Sequence, residues 1–184
     1  MVHHKEVTMD TYPKIMVSTR WEAEEWCHEY DSVLTVFTPA SLCEFGHRDQ
    51  TVIEFADRYV YEDGAPTMAQ FEEILAWADS RRHAGSVLIH CKAGQSRSTA
   101  TAIAVLSAWG MDPVEAVDHV YWECRPPEKI GERPFIPNLR LLEHLDEVFG
   151  SDLSERDILL DSPLYPEWTF GPGEEWEHRP MAAW

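Results

Sequence analysis

Residues 90–98 read His90-Cys91-Lys92-Ala93-Gly94-Gln95-Ser96-Arg97-Ser98. A thiol and a guanidinium are separated by five residues, most of them small. A loop of this kind can wrap an oxyanion if its backbone N–H groups turn inward. Ala93, Gly94 and Ser96 let the chain curl that tightly, and Gly94 takes positive φ at little cost. Arg97 supplies a planar fork of donors that grips two oxygens at once, a geometry lysine cannot copy. Cys91, as a thiolate at the start of the loop, would be a nucleophile aimed at the bound anion. Ser98 places a hydroxyl where it can hydrogen-bond the Cys91 sulfur and help it leave in a second step. Lys92, Ala93, Gly94, Gln95, Ser96 and Arg97 are the candidate anion-binding residues. His90 is expected to face inward from a strand end and hold the loop by hydrogen bonds.

Such a loop needs a rigid mount. Ser86-Val87-Leu88-Ile89 reads as a buried strand, and the run from Thr99 to Leu106 as a helix. A strand, a tight loop and a helix N-terminus make a ready anion site. The helix end adds partial positive charge, which favours both a dianionic ligand and the thiolate form of Cys91. Lys14–Ser18 and Ser32–Phe37 read as further strands, as does Val52–Phe55. Trp21–Tyr30 reads as an acidic amphipathic helix, and Thr38-Pro39-Ala40 as a helix start. Thr67 and Gln70 have capping-box spacing ahead of apolar Phe71, Ile74, Leu75 and Ala78. Gly110 is placed to end the helix after the loop. Asp112-Pro113-Val114-Glu115 opens another helix, and Pro137–Val148 supplies the last. This alternation predicts an α/β fold with a central, mainly parallel sheet of four to five strands and helices on both faces. The loop then lies at the carboxyl end of its strand, where ligands bind in open α/β sheets.

Composition narrows the partners. The chain has 184 residues, 44% of them hydrophobic and 26% charged, as expected of a globular domain with a real core. The net charge of −18 argues against nucleic acid and anionic membrane surfaces. It also opposes an anionic substrate at long range, so the local field of Arg97, Lys92 and the helix end must dominate. Screening limits that opposition beyond about 8 Å at physiological salt. No apolar stretch approaches the roughly 20 residues that span a bilayer. The first residues show no apolar leader, so the expected location is the cytoplasm, with Cys27, Cys43, Cys91 and Cys124 as free thiols. Cys43 or Cys124 could pair reversibly with Cys91, but inert buried thiols are the preferred reading. No metal-ligand or nucleotide motif is present, so no metal and no cofactor are expected.

The nine-residue string resembles the phosphate-binding loop of the cysteine-based protein tyrosine phosphatases, in particular the small dual-specificity and bacterial or phage types. The matching residues are His90, Cys91, Gly94, Arg97 and Ser98, with the apolar strand before them. The resemblance covers roughly residues 14–149 and implies the same α/β fold. It also implies a carboxylic acid on a loop just after a strand, about thirty residues before the cysteine, to protonate the leaving oxygen. Asp57 lies 34 positions before Cys91 and directly after the strand expected at 52–55. Asp63, in Glu62-Asp63-Gly64-Ala65-Pro66, lies 28 positions before it and is the alternative. Phe55-Ala56-Asp57 stands where the tyrosine-specific branch carries Trp-Pro-Asp. The segment Arg133-Pro134-Phe135-Ile136-Pro137-Asn138 resembles one before the last helix of related bacterial and phage enzymes, and no chemistry is assigned to it.

The expected activity is hydrolysis of phosphotyrosine, and of phosphoserine or phosphothreonine with a shallow pocket, through a cysteinyl-phosphate. The partner is then a phosphorylated protein or a small phosphomonoester. Alternatives are a phospho-binding module without turnover, a phosphoinositide phosphatase in which Lys92 meets an additional phosphate, and a sulfur-transfer or arsenate-reducing enzyme. A domain is expected over 1–150. Residues 151–184 form an acidic tail with eight carboxylates against Arg156 and Arg179, prolines, and Trp168, Trp176 and Trp184. Such composition is often disordered, although three tryptophans argue for docking on a surface.

Overall fold

A computed structural model of the chain describes residues 12–38, 45–58, 63–127 and 134–155. The strands are β1 (Lys14–Ser18), β2 (Ser32–Val36), β3 (Gln50–Ile53) and β4 (Ser86–His90). They form one sheet in the order β1-β4-β2-β3, parallel throughout. The helices are α1 (Arg20–Trp26), α2 (Met68–Ser80), α3 (Arg97–Ala108), α4 (Pro113–Trp122) and α5 (Leu139–Phe149).

Parallel strands must be covered on both faces, and the side chains divide accordingly. Ile15 and Val17, Leu34 and Val36, and Val87 and Ile89 point into the main core with α2–α5. Val33 and Leu88 point the other way, against Ala23 and Cys27 of the α1 segment. The expected sheet flanked by helices on both faces is the one observed.

α3 lies at the centre and packs on α2, α4, α5 and the sheet. Every residue from Arg97 to Ser107 is buried. This explains its run of Ala and Thr, since only small side chains fit a helix enclosed on all sides. Its last carbonyls are satisfied from outside: Arg82 donates to Trp109 O (3.0 Å) and Ala108 O (2.5 Å). Gly110 follows with φ +102°, in line with its expected place at the helix end. The capping boxes of α1 (Thr19, Glu22) and α2 (Thr67, Gln70) are both formed.

Several boundaries differ from expectation. α1 stops at Trp26, and Cys27–Glu29 form a 3-10 turn. β3 runs over Gln50–Ile53, not 52–55, because pairing begins where Asp49 is anchored. The Asp49 carbonyl accepts Val33 N–H (3.0 Å), and its carboxylate is gripped by Arg81 and by Ser32 Oγ (2.5 Å). The last helix starts at Leu139, because Asn138 caps it by accepting Leu141 N–H. The helix expected from Thr38 falls largely outside the described residues, as do Cys43 and the tail from 156 onward. Beyond α5, the Asp146 carboxylate accepts from Leu153 N (2.8 Å), Ser154 N (2.7 Å) and Ser151 Oγ, and Leu153 is buried in the main core. No helix among the described residues is long and apolar enough to cross a membrane.

Candidate active site

The sequence places Cys91 directly after β4 and Arg97 at the first turn of α3, so strand and helix fix the two ends of the loop. Gly94 takes φ +67°, which turns the chain back on itself, and its N–H donates to Cys91 Sγ at 3.3 Å. The Ser98 hydroxyl lies 3.1 Å from the same sulfur. The sulfur is therefore buried between two polar groups. Lys92 and Ala93 are exposed on the rim, and Gln95 is half-buried.

Ser96 is the N-cap of α3, yet its side chain makes no capping bond. Its hydroxyl donates instead to Asp57 Oδ1 at 2.7 Å. No side-chain cap of this residue competes for the first N–H groups of α3, which an anion in the loop would need.

Arg97 is buried at 6% exposure, with its guanidinium 5.4 Å from the Phe37 ring centroid. Its Nη1 donates to Phe55 O at 2.9 Å. Its Nε is buried without a hydrogen bond, 3.8 Å from Asp57 Oδ2.

Asp57 thus stands at the loop, with its side chain 35% exposed. It lies four residues past the end of β3, a larger step than expected, because the strand ends earlier. The segment closes on itself where Ala56 N–H donates to Gly64 O at 2.8 Å. That closure puts Asp63 at an exposed turn, and no hydrogen bond or ion pair ties it to the loop among the described residues.

Asn138 received no role from the sequence, and the structure gives it one. It is fully buried, and its Nδ2 donates to Asp57 Oδ1 (2.9 Å) and to Arg58 O (3.1 Å). Its backbone N–H donates to Ser96 O (3.2 Å), and the nearby Ile136 N–H to Gln95 O (3.1 Å). The segment before α5 therefore braces both the Asp57 segment and the Cys91–Arg97 loop. The available signal was a capping Asn ahead of an amphipathic helix, which predicts a helix start but not a contact 81 residues away.

His90 faces inward, as expected. Gln50 Nε2 donates to Thr35 Oγ1 (2.8 Å), which lies 2.7 Å from His90 Nε2. The Thr35 hydroxyl then donates to a neutral ring, leaving Nδ1–H directed at Cys91 O (3.4 Å). Burial lowers the His90 pKa from 6.5 to about 4. Below the ordinary value the unfolded chain takes up a proton that the folded chain refuses, so this site destabilises the fold as pH falls from 6.5 towards 4. The full effect is worth about 3 kcal/mol. Burial lowers the pKa of His144 as well, with the same sign. Denaturant melts at pH 7 and pH 4.5 should show the loss, and His90→Gln should remove most of it. An unchanged pH slope in that variant would contradict the assignment.

The other described thiols are set apart from Cys91. Burial pushes the Cys124 pKa up to about 12 and raises that of Cys27. Neither is a ready nucleophile.

No family model matches the chain. Dual specificity protein phosphatase 1 of Arabidopsis thaliana is 32% identical over 114 residues, which is 61% of this chain and 56% of that protein. The match thus spans little more than half the length of the curated relative. Human DUSP28 superposes with a TM-score of 0.56 at 19% identity, covering 79% of this chain and 98% of its own. A mouse protein described as a dual specificity phosphatase, crystallised with zinc tungstate, gives a TM-score of 0.54 at 18% identity, covering 80% and 91%. The fold of the present chain is that of the cysteine-based protein tyrosine phosphatases. The fold implied by the resemblance at residues 90–98 is the one observed. Within the phosphatase fold, β4, the loop and α3 occupy the sheet end where the sequence placed the site.

Proposed function

We propose that the protein is a phosphomonoesterase acting on phosphotyrosine, and on phosphoserine or phosphothreonine, in proteins. In the first step the Cys91 thiolate attacks phosphorus while Arg97 and the loop amides hold the non-bridging oxygens. The P–O ester bond breaks, and the proton of Asp57 goes to the leaving oxygen. In the second step Asp57 takes a proton from water, the oxygen attacks phosphorus, and the S–P bond breaks. The Ser98 hydroxyl stabilises the departing thiolate.

One observation carries this reading: a thiol held by Gly94 N–H and Ser98 shares a loop with a buried arginine whose Nε makes no hydrogen bond. Its ion-pair neighbour is the carboxylate that the chemistry requires. A binding module would need the arginine and the amides, but not that carboxylate.

The test is hydrolysis of p-nitrophenyl phosphate and phosphotyrosyl peptides, independent of added metal and blocked by vanadate. Asp57→Asn should lower kcat by about 10²-fold and flatten the basic limb of the pH profile. Asp63→Asn should stay within about twofold of the parent, as surface loop changes do. A loss confined to Asp63→Asn would reverse the assignment of the acid. Tight phosphopeptide binding without turnover would favour the binding module.

A further inference from the structure

Asp57 meets its surroundings unevenly. Oδ1 accepts two hydrogen bonds, from Ser96 Oγ (2.7 Å) and Asn138 Nδ2 (2.9 Å). Oδ2 lies 3.8 Å from Arg97 Nε, too far for a hydrogen bond. The donors on Oδ1 cannot drift, because Asn138 is buried and committed at every polar group. Its second amide hydrogen goes to Arg58 O (3.1 Å), its Oδ1 accepts Leu141 N–H (3.2 Å), and its backbone N–H reaches Ser96 O (3.2 Å). An oxygen that already accepts two donors is a poor site for a proton, since its in-plane lone pairs are occupied.

We infer that Asn138 and Ser96 are positioning residues that reserve Oδ1 of Asp57 as an acceptor and confine the exchangeable proton to Oδ2. The inference rests on Asp57 being the general acid. In the first step the Oδ2–H bond breaks as the ester P–O bond breaks, and the proton moves to the leaving oxygen. The electron pair stays on the carboxylate, where the two donors on Oδ1 meet the charge that develops. In the second step Oδ2 receives the proton from water while Oδ1 keeps its donors. The proton is thus delivered from the oxygen beside Arg97, the residue that would hold the phosphoryl group. Since Asn138 also binds the carbonyl of Ser96, one side chain sets both the orientation of the acid and its spacing from the loop.

A merely structural role would lower activity on all substrates alike. A positioning role makes the loss depend on how badly the leaving oxygen needs a proton. The variant of choice is Asn138→Ser, which keeps a capping oxygen for α5 and removes the amide donors. We expect the ratio of kcat/KM on phenyl phosphate to kcat/KM on p-nitrophenyl phosphate to fall by about tenfold. In an Asp57→Asn background the same change should add less than about twofold, because residues acting through one another are not additive. An unchanged ratio, or an equal further loss in the Asp57→Asn background, overturns the proposal. If Asn138→Ser does not fold, Ser96→Ala carries the same test, since Ser96 makes no side-chain cap to lose. A parent chain without turnover removes the phosphatase reading itself. Turnover that Asp57→Asn leaves intact removes the acid on which this inference rests. Both outcomes are read from the parent and the Asp57 variant, before Asn138 is altered.

Discussion

Cys91→Ser is expected to abolish turnover of p-nitrophenyl phosphate, a fall in kcat of at least about 10⁴-fold. The substitution is nearly isosteric, so the contacts of the sulfur with Gly94 N–H and Ser98 have counterparts at the new oxygen. The difference lies in the chemistry. A thiol is intrinsically more acidic and more nucleophilic than an alcohol, which needs a base to remove its proton. The ring of His90 offers none, being directed at Thr35 and the Cys91 carbonyl and not at the side chain of residue 91. The loop itself should survive, so the variant should still be stabilised by tungstate or inorganic phosphate in a thermal melt. Retention of a tenth or more of the parent activity would show that the thiol is not the nucleophile.

Arg97→Lys is expected to lower kcat by about 10³-fold although it preserves the charge. The guanidinium does two jobs at once. Nη1 ties Phe55 O to the loop, while Nε and the remaining N–H groups stay available to an oxyanion. A lysine ammonium at the end of a flexible stem cannot hold the Phe55 carbonyl and two phosphoryl oxygens together. Loss of the tie should also let the segment bearing Asp57 drift, so the pH profile should change along with the rate. This prediction separates geometry from charge. On a chain of net charge −18, a mere need for local positive potential would be met by lysine, and activity near the parent level would then be observed.

The parts of the site that were legible in the sequence are those built from neighbours in the chain. His90 to Ser98 is one uninterrupted string, and β4 and α3 announce themselves by an apolar run and a run of small residues. Asp57 was reachable through its position after a strand, even though the strand ends two residues earlier than its apolar content indicates. The physical reason is that Asp49, a polar residue, sets the start of β3 through Val33, Ser32 and Arg81, and the pairing with β2 ends at Val36 and Ile53. Asn138 was not legible. Its contacts with Asp57 and Ser96 depend on the path of the chain over the whole domain, and no local pattern encodes them. The same holds for Arg82, whose grip on the end of α3 follows only from how α2 lies beside it.

Ser96 withholds its side chain from the helix it begins, and this has a consequence for the resting protein. α3, the central helix of the domain, starts without a side-chain cap from that residue. An oxyanion in the loop would supply what the serine does not, so the product of the proposed reaction is also a structural ligand. Inorganic phosphate at ten times its dissociation constant would stabilise the fold by about 1.4 kcal/mol. The stability of the domain would then follow the phosphate level of its surroundings, and the cleft would be held in shape by its own product between turnovers.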